Sequence, residues 1–595
     1  MKRAGILSVT VWLAVGLAGC TAGQTGDGSG GSVGTGGGRS GGSGGPTGGS
    51  PGAGGAASGG AMGKGGATGS GGAPGSGGSG PAGGGGGATG TGGPASGGSP
   101  GTGGAGAGTG GTGSGGTGTG GTSPALPPLV TSGPGAYWNT SATLTTVTSG
   151  TVDITVDDTM TYQRFDGFGG AFNEQGWDDI QQLGASDQTK AITLLFDATN
   201  GAHFMYGRIP IGSSDYAMSR YTDDETAGDT SMTGFSVSRD QQYLIPYVQA
   251  ALGVNPQLHL WGSPWTPPTW MKTASGSANG TSCANMNNNK FDGGCMSAGS
   301  NNQNLTAFAL YLSKWVTAYA SAGITVEAIH PQNEPNYSTP YSSCLWTPAL
   351  YDQFIASYLG PTFASNNPTT QIWLGTMSND NSGTDPAIIS AVTADKAAMK
   401  YVKGAGLQWN VMSSTASLAS MGLTVMQTGH KCGNYPFTVS GENPPPGPTN
   451  SSMAPNDRAY GMESWGLIRD WIKAGVNSYS AWNMVLDTLG AGNATTRNPP
   501  WYQNALLVVN RSAKTLTVTP AYYVFRHLSQ YVQPGATRVA TTGTSLDALA
   551  FKNPDGSIVT VMYNAGSAAK TAILSVGGTK LQLSIPSTGW ATVKH

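Results

Sequence analysis

The sequence predicts an α/β fold, a (β/α)8 or TIM barrel with a side β-sandwich. From residue 165 onward, short apolar runs alternate with helical stretches at the spacing of such a barrel. The tail from about residue 537 instead contains short strands separated by Gly and Asn-Pro turns, which is typical of a sandwich. A strand-like segment that precedes the barrel, TVDITVDD at 151–158, is predicted to complete this sandwich.

The first twenty residues predict an export signal. A basic pair at positions 2 and 3 precedes an apolar stretch that reaches Leu17, and the segment ends in LAGC at Cys20. This order is that of a signal peptide, and the apolar stretch is too short to span a bilayer. The LAGC ending resembles the lipobox of bacterial lipoproteins. We therefore expect a lipoprotein signal peptide at 1–20 with Cys20 lipidated; the alternative is an ordinary signal peptide that ends near a cysteine.

Residues 21–127 are expected to form a disordered linker. This segment consists almost wholly of Gly, Ser, Thr, Ala and Pro. It lacks the apolar side chains that would offset the entropy cost of ordering it, and the absence of a G-X-Y period excludes collagen. The linker is predicted to hold a folded domain away from a membrane or wall.

Eight candidate barrel strands follow in chain order. Two of the segments between them, 303–322 and 460–474, have apolar residues at helical spacing. The strands are predicted at 165–172, 203–211, 257–264, 324–331, 371–377, 407–412, 423–428 and 476–484. The barrel is accordingly assigned to 160–530, and the sandwich to 135–159 together with 531–595.

Composition and cysteine count exclude several kinds of site. The formal net charge is −2 and no basic patch indicates a nucleic-acid partner. Four cysteines follow Cys20 and allow three pairings. In an oxidising compartment the expected disulfides are Cys283–Cys295, which closes a short Asn-rich loop, and Cys344–Cys432. No spacing fits a zinc site, and neither a metal nor an organic cofactor is expected.

Polar and aromatic residues stand where the predicted strands end. The fourth strand stops at Asn333-Glu334-Pro335, because proline cannot continue a strand ladder. In a (β/α)8 barrel these C-terminal ends form the face on which chemistry is done. The other candidates on this face are Arg208, Asp215, Trp265 and Trp482.

Together these residues predict a carbohydrate site. Indole rings pack against the C–H faces of a pyranose, whereas Arg, Asp and Asn side chains bind its hydroxyls. Each residue also has a structural explanation when it is taken singly. Glu334 could be a surface residue in a turn, Arg208 and Asp215 a structural pair, and Trp482 a core residue.

Glu334 is predicted to be the acid/base of a glycosidase. Retaining glycoside hydrolysis needs two carboxyl groups about 5–5.5 Å apart, one that protonates the leaving oxygen and one that attacks carbon. Asn333, beside Glu334, is expected to bind the 2-hydroxyl of the sugar. The second carboxyl group should come from across the barrel mouth.

Five segments, taken in order, resemble glycoside hydrolase family 30: GFGGAF, RIPIGSSDY, SPWTPPTWMK, HPQNEPNY and YSAWNMVLD. That family includes glucosylceramidases, β-1,6-glucanases and xylanases. The resemblance covers about 135–595 and implies a barrel with a side β-sandwich and a retaining mechanism. It also implies that Glu334 is the acid/base and that a nucleophilic glutamate ends the seventh strand.

The nucleophile that the resemblance implies is absent, because position 429 is a glycine. Three interpretations are open. The chain is a glycan-binding paralogue without catalysis, or it carries a sequence change in a family of working enzymes. In the third interpretation, Glu442 or a water held in the space beside Gly429 acts in place of the missing nucleophile. Glu463, in a helical pattern, is expected to face solvent.

The resulting prediction is a secreted glycosidase acting on β-glucosidic links, such as those of β-1,6-glucan or glucosylceramide, and impaired at Gly429. The alternative is a non-catalytic glycan-binding surface lipoprotein. A purely structural surface protein is disfavoured by the intact Glu334, Trp265 and Trp482. The expected partner is a β-linked glycan or glycoside, with a membrane contacted only through a lipid on Cys20. The chain is expected to be exported as a bacterial membrane-anchored lipoprotein, at the cell surface or secreted.

Overall fold

The computed structural model describes residues 128–278, 280–378, 384–431, 457–490 and 502–595. The predicted signal peptide with Cys20, the predicted linker, Cys432 and Glu442 lie outside these residues. Within them, no helix combines the length and the apolar character that a membrane crossing requires.

Eight parallel strands close into a barrel, which confirms the predicted fold class. Each strand pairs with the next one in the chain, and the eighth pairs with the first in a register that matches Ser478 with Gly167. The strands are Gly167–Ala171, Tyr206–Ile211, His259–Pro264, Val326–Ile329, Gln371–Met377, Val402–Leu407, Thr424–Gln427 and Ser478–Asn483.

Every barrel strand is followed by at least one helix, as a (β/α)8 fold requires. The segment predicted at 303–322 is the helix Gln303–Ser321, and the one predicted at 460–474 begins three residues earlier, at Asp457. The α-helices of the described ranges are Glu174–Gln181, Ala185–Phe196, Leu244–Val254, Gln303–Ser321, Pro348–Phe354, Gly360–Asn366, Thr384–Ala394, Lys396–Met399, Thr415–Ser420, Asp457–Ala474 and Pro520–Ser529.

The predicted position of the sixth strand is wrong. The strand is Val402–Leu407, whereas the prediction was 407–412. Its sequence, VKGAGL, is poor in the branched residues that mark a strand, because two glycines face large neighbours. A Cβ added at Gly404 would lie 2.4 Å from the indole of Trp373. The strand therefore ends where the prediction began, and Gln408 belongs to the loop above it.

The sandwich is built from both ends of the folded region, and its strands form one hydrogen-bonded sheet. The prediction contained one strand from before the barrel, whereas the structure has four. In chain order the ten strands are Leu129–Gly133, Ala136–Asn139, Thr145–Val147, Ile154–Phe165, Ala536–Thr542, Asp547–Lys552, Ile558–Asn564, Lys570–Val576, Thr579–Ile585 and Gly589–Lys594.

The long strand Ile154–Phe165 joins the two halves of this sheet. It pairs antiparallel with Ala536–Thr542 and, at its start, parallel with Lys570–Val576. Apolar residues from both halves, such as Met562 and Leu574, share one buried core. The same strand ends at Phe165, whose ring packs in the barrel core, so the sandwich leads directly into the first barrel strand.

Short strands also occur in the loops above the barrel. A three-stranded sheet after the eighth barrel strand consists of Val485–Asp487, Leu507–Asn510 and Thr515–Val518. The loop after the third barrel strand contains two small hairpins, formed by Lys272–Thr273 with Cys295–Met296 and by Ser277–Ala278 with Thr281–Ser282.

Candidate active site

A pocket opens at the C-terminal ends of the barrel strands. Its lining contains every substrate-binding and catalytic position that the sequence analysis selected. The lining residues are Arg208, Asp215, Trp265, Asn333, Glu334, Tyr341, Gln408, Trp409, Gly429, His430, Trp482 and Gln503. Residues that are up to 295 positions apart in the sequence thus meet in one cavity.

Glu334 is held in the pocket by an unusual backbone conformation. Its φ of 47° lies in the left-handed region, which is uncommon for residues other than glycine and costs on the order of 1–3 kcal/mol. The neighbouring peptide groups fix this conformation. The Asn333 N–H donates to the Pro264 carbonyl at 2.7 Å, and the Glu334 N–H donates to the Thr376 carbonyl at 3.0 Å.

Burial sets the acidity of Glu334. Its side chain is enclosed, and this desolvation raises the pKa of Glu334 to about 7, with a further upward contribution from the charge of Asp215. The hydrogen bond from Gln408 and the charge of Arg208 act in the opposite direction. A carboxyl group with a pKa near neutrality can act both as a proton donor and as a proton acceptor.

Arg208 orients the amide next to Glu334. Its buried guanidinium donates from Nη2 to Asn333 Oδ1 at 2.6 Å and to Ser263 Oγ at 2.9 Å. Thr376 Oγ1 also donates to Asn333 Oδ1, at 3.0 Å. Since the amide oxygen of Asn333 accepts both bonds, its NH2 group is left for a ligand hydroxyl in the pocket.

Two indoles form the apolar part of the pocket. The rings of Trp265 and Trp482 lie 5.5 Å apart at an angle of 31°, and Tyr216 packs edge-on against Trp482. The Arg208 guanidinium lies over both indoles, 4.3 Å from the Trp265 centroid and 5.3 Å from the Trp482 centroid. Such an arrangement stabilises the cation, and both indoles line the pocket although little of either ring is exposed.

Gly429 lies opposite Glu334, and the side chain of Gln408 spans the space between them. Gln408 Nε2 donates to Glu334 Oε1 at 2.8 Å, while Gln408 Oε1 lies 2.8 Å from the place of a Cβ on residue 429. The N and O of one amide are about 2.2 Å apart, so at most about 8 Å separates Glu334 Oε1 from that Cβ position. This limit is compatible with the carboxyl separation of a retaining pair, had residue 429 been a glutamate.

His430 and Lys431, which follow Gly429, make structural contacts. His430 bonds through Nδ1 to the Tyr479 hydroxyl at 2.5 Å and through Nε2 to Ser464 Oγ at 3.0 Å. Burial lowers the pKa of His430 to about 3, so its ring is neutral at physiological pH. Lys431 pairs with Glu463 at 2.6 Å. The expectation that Glu463 faces solvent is therefore wrong, because this ion pair draws its side chain into a half-buried position.

The predicted Cys283–Cys295 disulfide is present and closes a loop beside the pocket. Asp292, inside this loop, forms a bidentate ion pair with Arg220 at 2.7 and 2.8 Å. The Lys272 ammonium donates to the carbonyls of Phe291 and Ser343 at 2.8 and 2.7 Å. These bonds attach the disulfide loop to the segment that carries Tyr341, so the loop supports one wall of the pocket.

Cys344 is a free thiol, and Cys432, its predicted disulfide partner, lies outside the described residues. The side chain of Cys344 is completely buried next to Leu345, whose carbonyl accepts from its Sγ. Burial raises the pKa of Cys344 to about 12, which makes it unreactive. No group of three or more His, Cys, Asp or Glu in the described ranges is arranged to hold a metal ion.

The sequence analysis missed five lining residues: Tyr341, Gln408, Trp409, His430 and Gln503. A signal existed for two of them. With the sixth strand ended at Leu407, Gln408 and Trp409 become the first residues of a strand-end loop, where the other candidates were found. Gln503 is held by Asn483, whose Nδ2 donates to its Oε1 at 2.7 Å, and no local pattern marks that contact.

Two family models match the two parts of the fold. The Glycosyl hydrolase family 30 TIM-barrel domain matches residues 165–532, and the Glycosyl hydrolase family 30 beta sandwich domain matches residues 535–593. The chain belongs to glycoside hydrolase family 30. Membership supports O-glycosyl hydrolase activity and a β-glycoside substrate.

Relatives in the family have names from two substrate classes. Putative glucosylceramidase 1 of Caenorhabditis elegans is 28% identical over 482 residues, which cover 75% of this chain and 84% of the relative. An endo-1,6-beta-D-glucanase of Aspergillus fumigatus is 26% identical over 471 residues, which cover 73% and 86%. The solved structure of an endo-beta1,6-glucanase has a TM-score of 0.65 at 23% identity, covering 78% of this chain and 99% of that one. This last likeness supports the fold.

Proposed function

We propose that the pocket is a β-glycosidase site for β-glucosidic links, of the kind found in β-1,6-glucan or glucosylceramide, with its retaining mechanism interrupted at Gly429. The observation that carries the proposal is the pair of facing positions 334 and 429. One holds a buried carboxyl group with a pKa near 7, and the other holds no side chain. The names of the relatives support the glucosidic substrate.

In this proposal each part of the pocket has a role. Trp265 and Trp482 contact the sugar ring, and the Asn333 amide binds the 2-hydroxyl, where hydrogen bonds strengthen in the transition state. Asp215 and Arg208 bind further hydroxyls or fix the groups that do. Protonated Glu334 gives its proton to the departing glycosidic oxygen.

The missing step is attack on the anomeric carbon. A covalent nucleophile is worth on the order of 10⁶ in turnover, or about 8 kcal/mol of barrier. Gln408 cannot take over, since a neutral amide is a poor nucleophile and cannot balance the positive charge of an oxocarbenium ion. Native turnover of β-glucosides is therefore expected to be very low.

Azide rescue tests this proposal. An activated substrate, 2,4-dinitrophenyl β-glucoside, needs little help from an acid, so azide that displaces the Gln408 side chain from the space beside Gly429 should attack and give α-glucosyl azide. The expected result is a rate that increases with azide concentration. The α-configuration of the product, read from the anomeric proton coupling in NMR spectra, identifies the face of attack. A β-configured azide, or no effect of azide, would contradict the proposed geometry.

A non-catalytic glycan-binding protein is the second candidate. It is favoured by one observation, which is that Gln408 already fills the space next to Gly429 while the aromatic surface is intact. The test combines a glycan array with activity assays of the native chain and of Gly429→Glu. Binding on the array, with neither protein active on any β-glycoside tested, would support this second function and refute the first.

We also propose that the chain is exported and anchored through a lipid on Cys20. The support is the order of charge, apolar stretch and LAGC in residues 1–20. We expect the full chain to incorporate labelled palmitate in a bacterial host, and we expect the Cys20→Ser variant not to do so. Equal labelling of the two proteins would refute the anchor.

A further inference from the structure

Gln503 is a pocket residue whose backbone is fixed by the loop above the eighth barrel strand. Its N–H donates to the Gly490 carbonyl at 2.8 Å, and the same carbonyl accepts from the Tyr216 hydroxyl at 3.0 Å. The two segments approach so closely that a Cβ at Gly490 would lie 2.1 Å from the Gln503 carbonyl oxygen. Glycine, here with a φ of 57°, permits this approach. The position of Gln503 in the pocket wall is therefore set before any ligand binds.

A row of three amides fixes the orientation of the Gln503 side chain. The backbone N–H of Gly176 can only donate, so the Asn173 atom that it contacts at 2.6 Å is the amide oxygen. The NH2 group of Asn173 then donates to Asn483 Oδ1 at 3.2 Å, and Asn483 Nδ2 donates to Gln503 Oε1 at 2.7 Å. None of these three residues is more than 3% exposed, so the row is sheltered from water. The Gln503 side chain therefore keeps its oxygen on Asn483.

The NH2 group of Gln503 is left as a donor for a ligand. Among the described residues, no group accepts a hydrogen bond from Gln503 Nε2. Gln503 lines the same pocket as Glu334. A buried donor without an acceptor is unfavourable, and a small number of polar groups fix the orientation of a ligand in a typical binding pocket. The donor of Gln503 thus matches a ligand that supplies an acceptor oxygen.

Gln503 and Asn333 lie on opposite sides of the barrel mouth. Asn333 follows the fourth strand, whereas Gln503 is bonded to Asn483 at the end of the eighth. Strands four and eight are opposite each other in a closed eight-stranded barrel. In the proposed function, Asn333 binds the 2-hydroxyl of the sugar. Because carbons 2 and 5 face each other across a pyranose ring, the group on carbon 5 is turned towards Gln503.

We propose that Gln503 is a specificity residue that makes the pocket prefer β-glucosides to β-xylosides. Its Nε2 donates a hydrogen bond to the 6-hydroxyl oxygen of the glucosyl ring. A glucoside carries this hydroxyl on the hydroxymethyl group of carbon 5, whereas a xyloside has only hydrogen there. The inference rests on the proposed β-glucosidic function and adds a substrate-binding residue to it. No covalent bond changes and no proton is transferred at Gln503.

The preference has two physical sources. A bound glucoside gains the hydrogen bond from Nε2, and a bound xyloside leaves this donor enclosed without an acceptor. A site built to bind a hydroxyl rejects the analogue that lacks it chiefly through this second effect. We therefore expect an affinity difference of about ten-fold or more between the two sugars.

The test measures equilibrium binding to the native protein. Native turnover of β-glucosides is expected to be very low, so intact ligands can be used. The ligands are methyl β-glucoside, methyl 6-deoxy-β-glucoside and methyl β-xyloside. Tryptophan fluorescence should report binding, because Trp265 and Trp482 line the pocket. We expect the dissociation constant of the glucoside to be about ten-fold lower than that of either other ligand. The 6-deoxy sugar isolates the hydroxyl, since it keeps carbon 6.

Two variants locate the effect. Gln503→Leu keeps a side chain of similar size that cannot donate, so the glucoside and the 6-deoxyglucoside should bind within about two-fold of each other. Gln408→Leu is the matched control, because it makes the same change in the same pocket, on the side of Glu334. The ten-fold difference between the two ligands should persist in Gln408→Leu. Circular dichroism establishes that both variants fold.

Three results would overturn the inference and leave the proposed function intact. The native protein could bind all three sugars equally, which is decisive even if Gln503→Leu does not fold. The difference could persist in Gln503→Leu, or it could disappear in Gln408→Leu as well. Equal weakening of all three ligands by Gln503→Leu, with the difference kept, would show that Gln503 has a structural role only. Absence of β-glucoside binding together with absence of azide rescue would refute both proposals.

Discussion

The Gly429→Glu substitution should restore hydrolysis of aryl β-glucosides. The added Cβ meets only the end of Gln408, at 2.8 Å, so Gln408 must rotate. Rotation breaks its bonds with Glu334 at 2.8 Å and with the Thr428 hydroxyl at 3.1 Å, at a cost of about 1 kcal/mol for each. A nucleophile contributes about 8 kcal/mol. The expected net gain in kcat/KM is therefore on the order of 10⁴-fold.

The assay is the initial rate of 4-nitrophenol release, with NMR to establish that the first sugar product is the β-anomer. Gly429→Gln is the matched control, because it imposes the same crowding on Gln408 without a charged nucleophile. Circular dichroism and a thermal melt establish that both variants fold. A folded Gly429→Glu protein that is no faster than Gly429→Gln would refute the argument that positions 334 and 429 form a catalytic pair.

Three further predictions concern the surroundings of this pair. Gln408→Leu removes a hydrogen bond that favours the charged carboxylate, so the pKa of Glu334 should rise by about one unit. Carbon-13 NMR titration of labelled glutamates measures this pKa, and an unchanged value would show that the Gln408 hydrogen bond does not affect it. Removing the 12-residue crosslink with Cys283→Ser and Cys295→Ser should cost up to about 3 kcal/mol of unfolding free energy, measured by urea denaturation; equal midpoints would show that the loop is held without it. Trp265→Ala should weaken glycan binding about ten-fold or more, because the contact between the indole and the sugar ring is lost. Calorimetry measures the affinity, and an unaltered value would show that Trp265 does not contact the sugar.

Much of the architecture was predictable because most barrel strands carry a dense local signal. Runs such as QIWLGTM and SYSAWN are apolar, branched or aromatic, and the structure makes them strands at Gln371–Met377 and Ser478–Asn483. The sixth strand lacked that signal. Gly404 is needed because the indole of Trp373 lies against the strand, and Gly406 because the His330 ring does. Such long-range contacts leave no local pattern in VKGAGL.

The site was predictable to the extent that it lies at strand ends. Glu334 could be selected because it lies in the loop that follows a barrel strand, and Gly429 because the family resemblance implies a glutamate at the end of the seventh strand. Gln408 could not be connected with either, since its bond to Glu334 joins residues 74 positions apart and depends on where the sixth strand ends. The free thiol of Cys344 was missed for a related reason, because counting cysteines gives no information about burial.

The strand Ile154–Phe165 has a consequence for how the protein can be divided. It belongs to the sandwich along its length, yet it ends in the barrel core at Phe165. A second attachment lies at His527, which bonds to Ser132 and Thr592 of the sandwich at 2.8 Å each. A fragment cut at residue 535 would lose both partner strands of this strand and the Thr592 partner of His527. The two parts should therefore melt in a single calorimetric transition, and the glycosidase barrel cannot be treated as a detachable module.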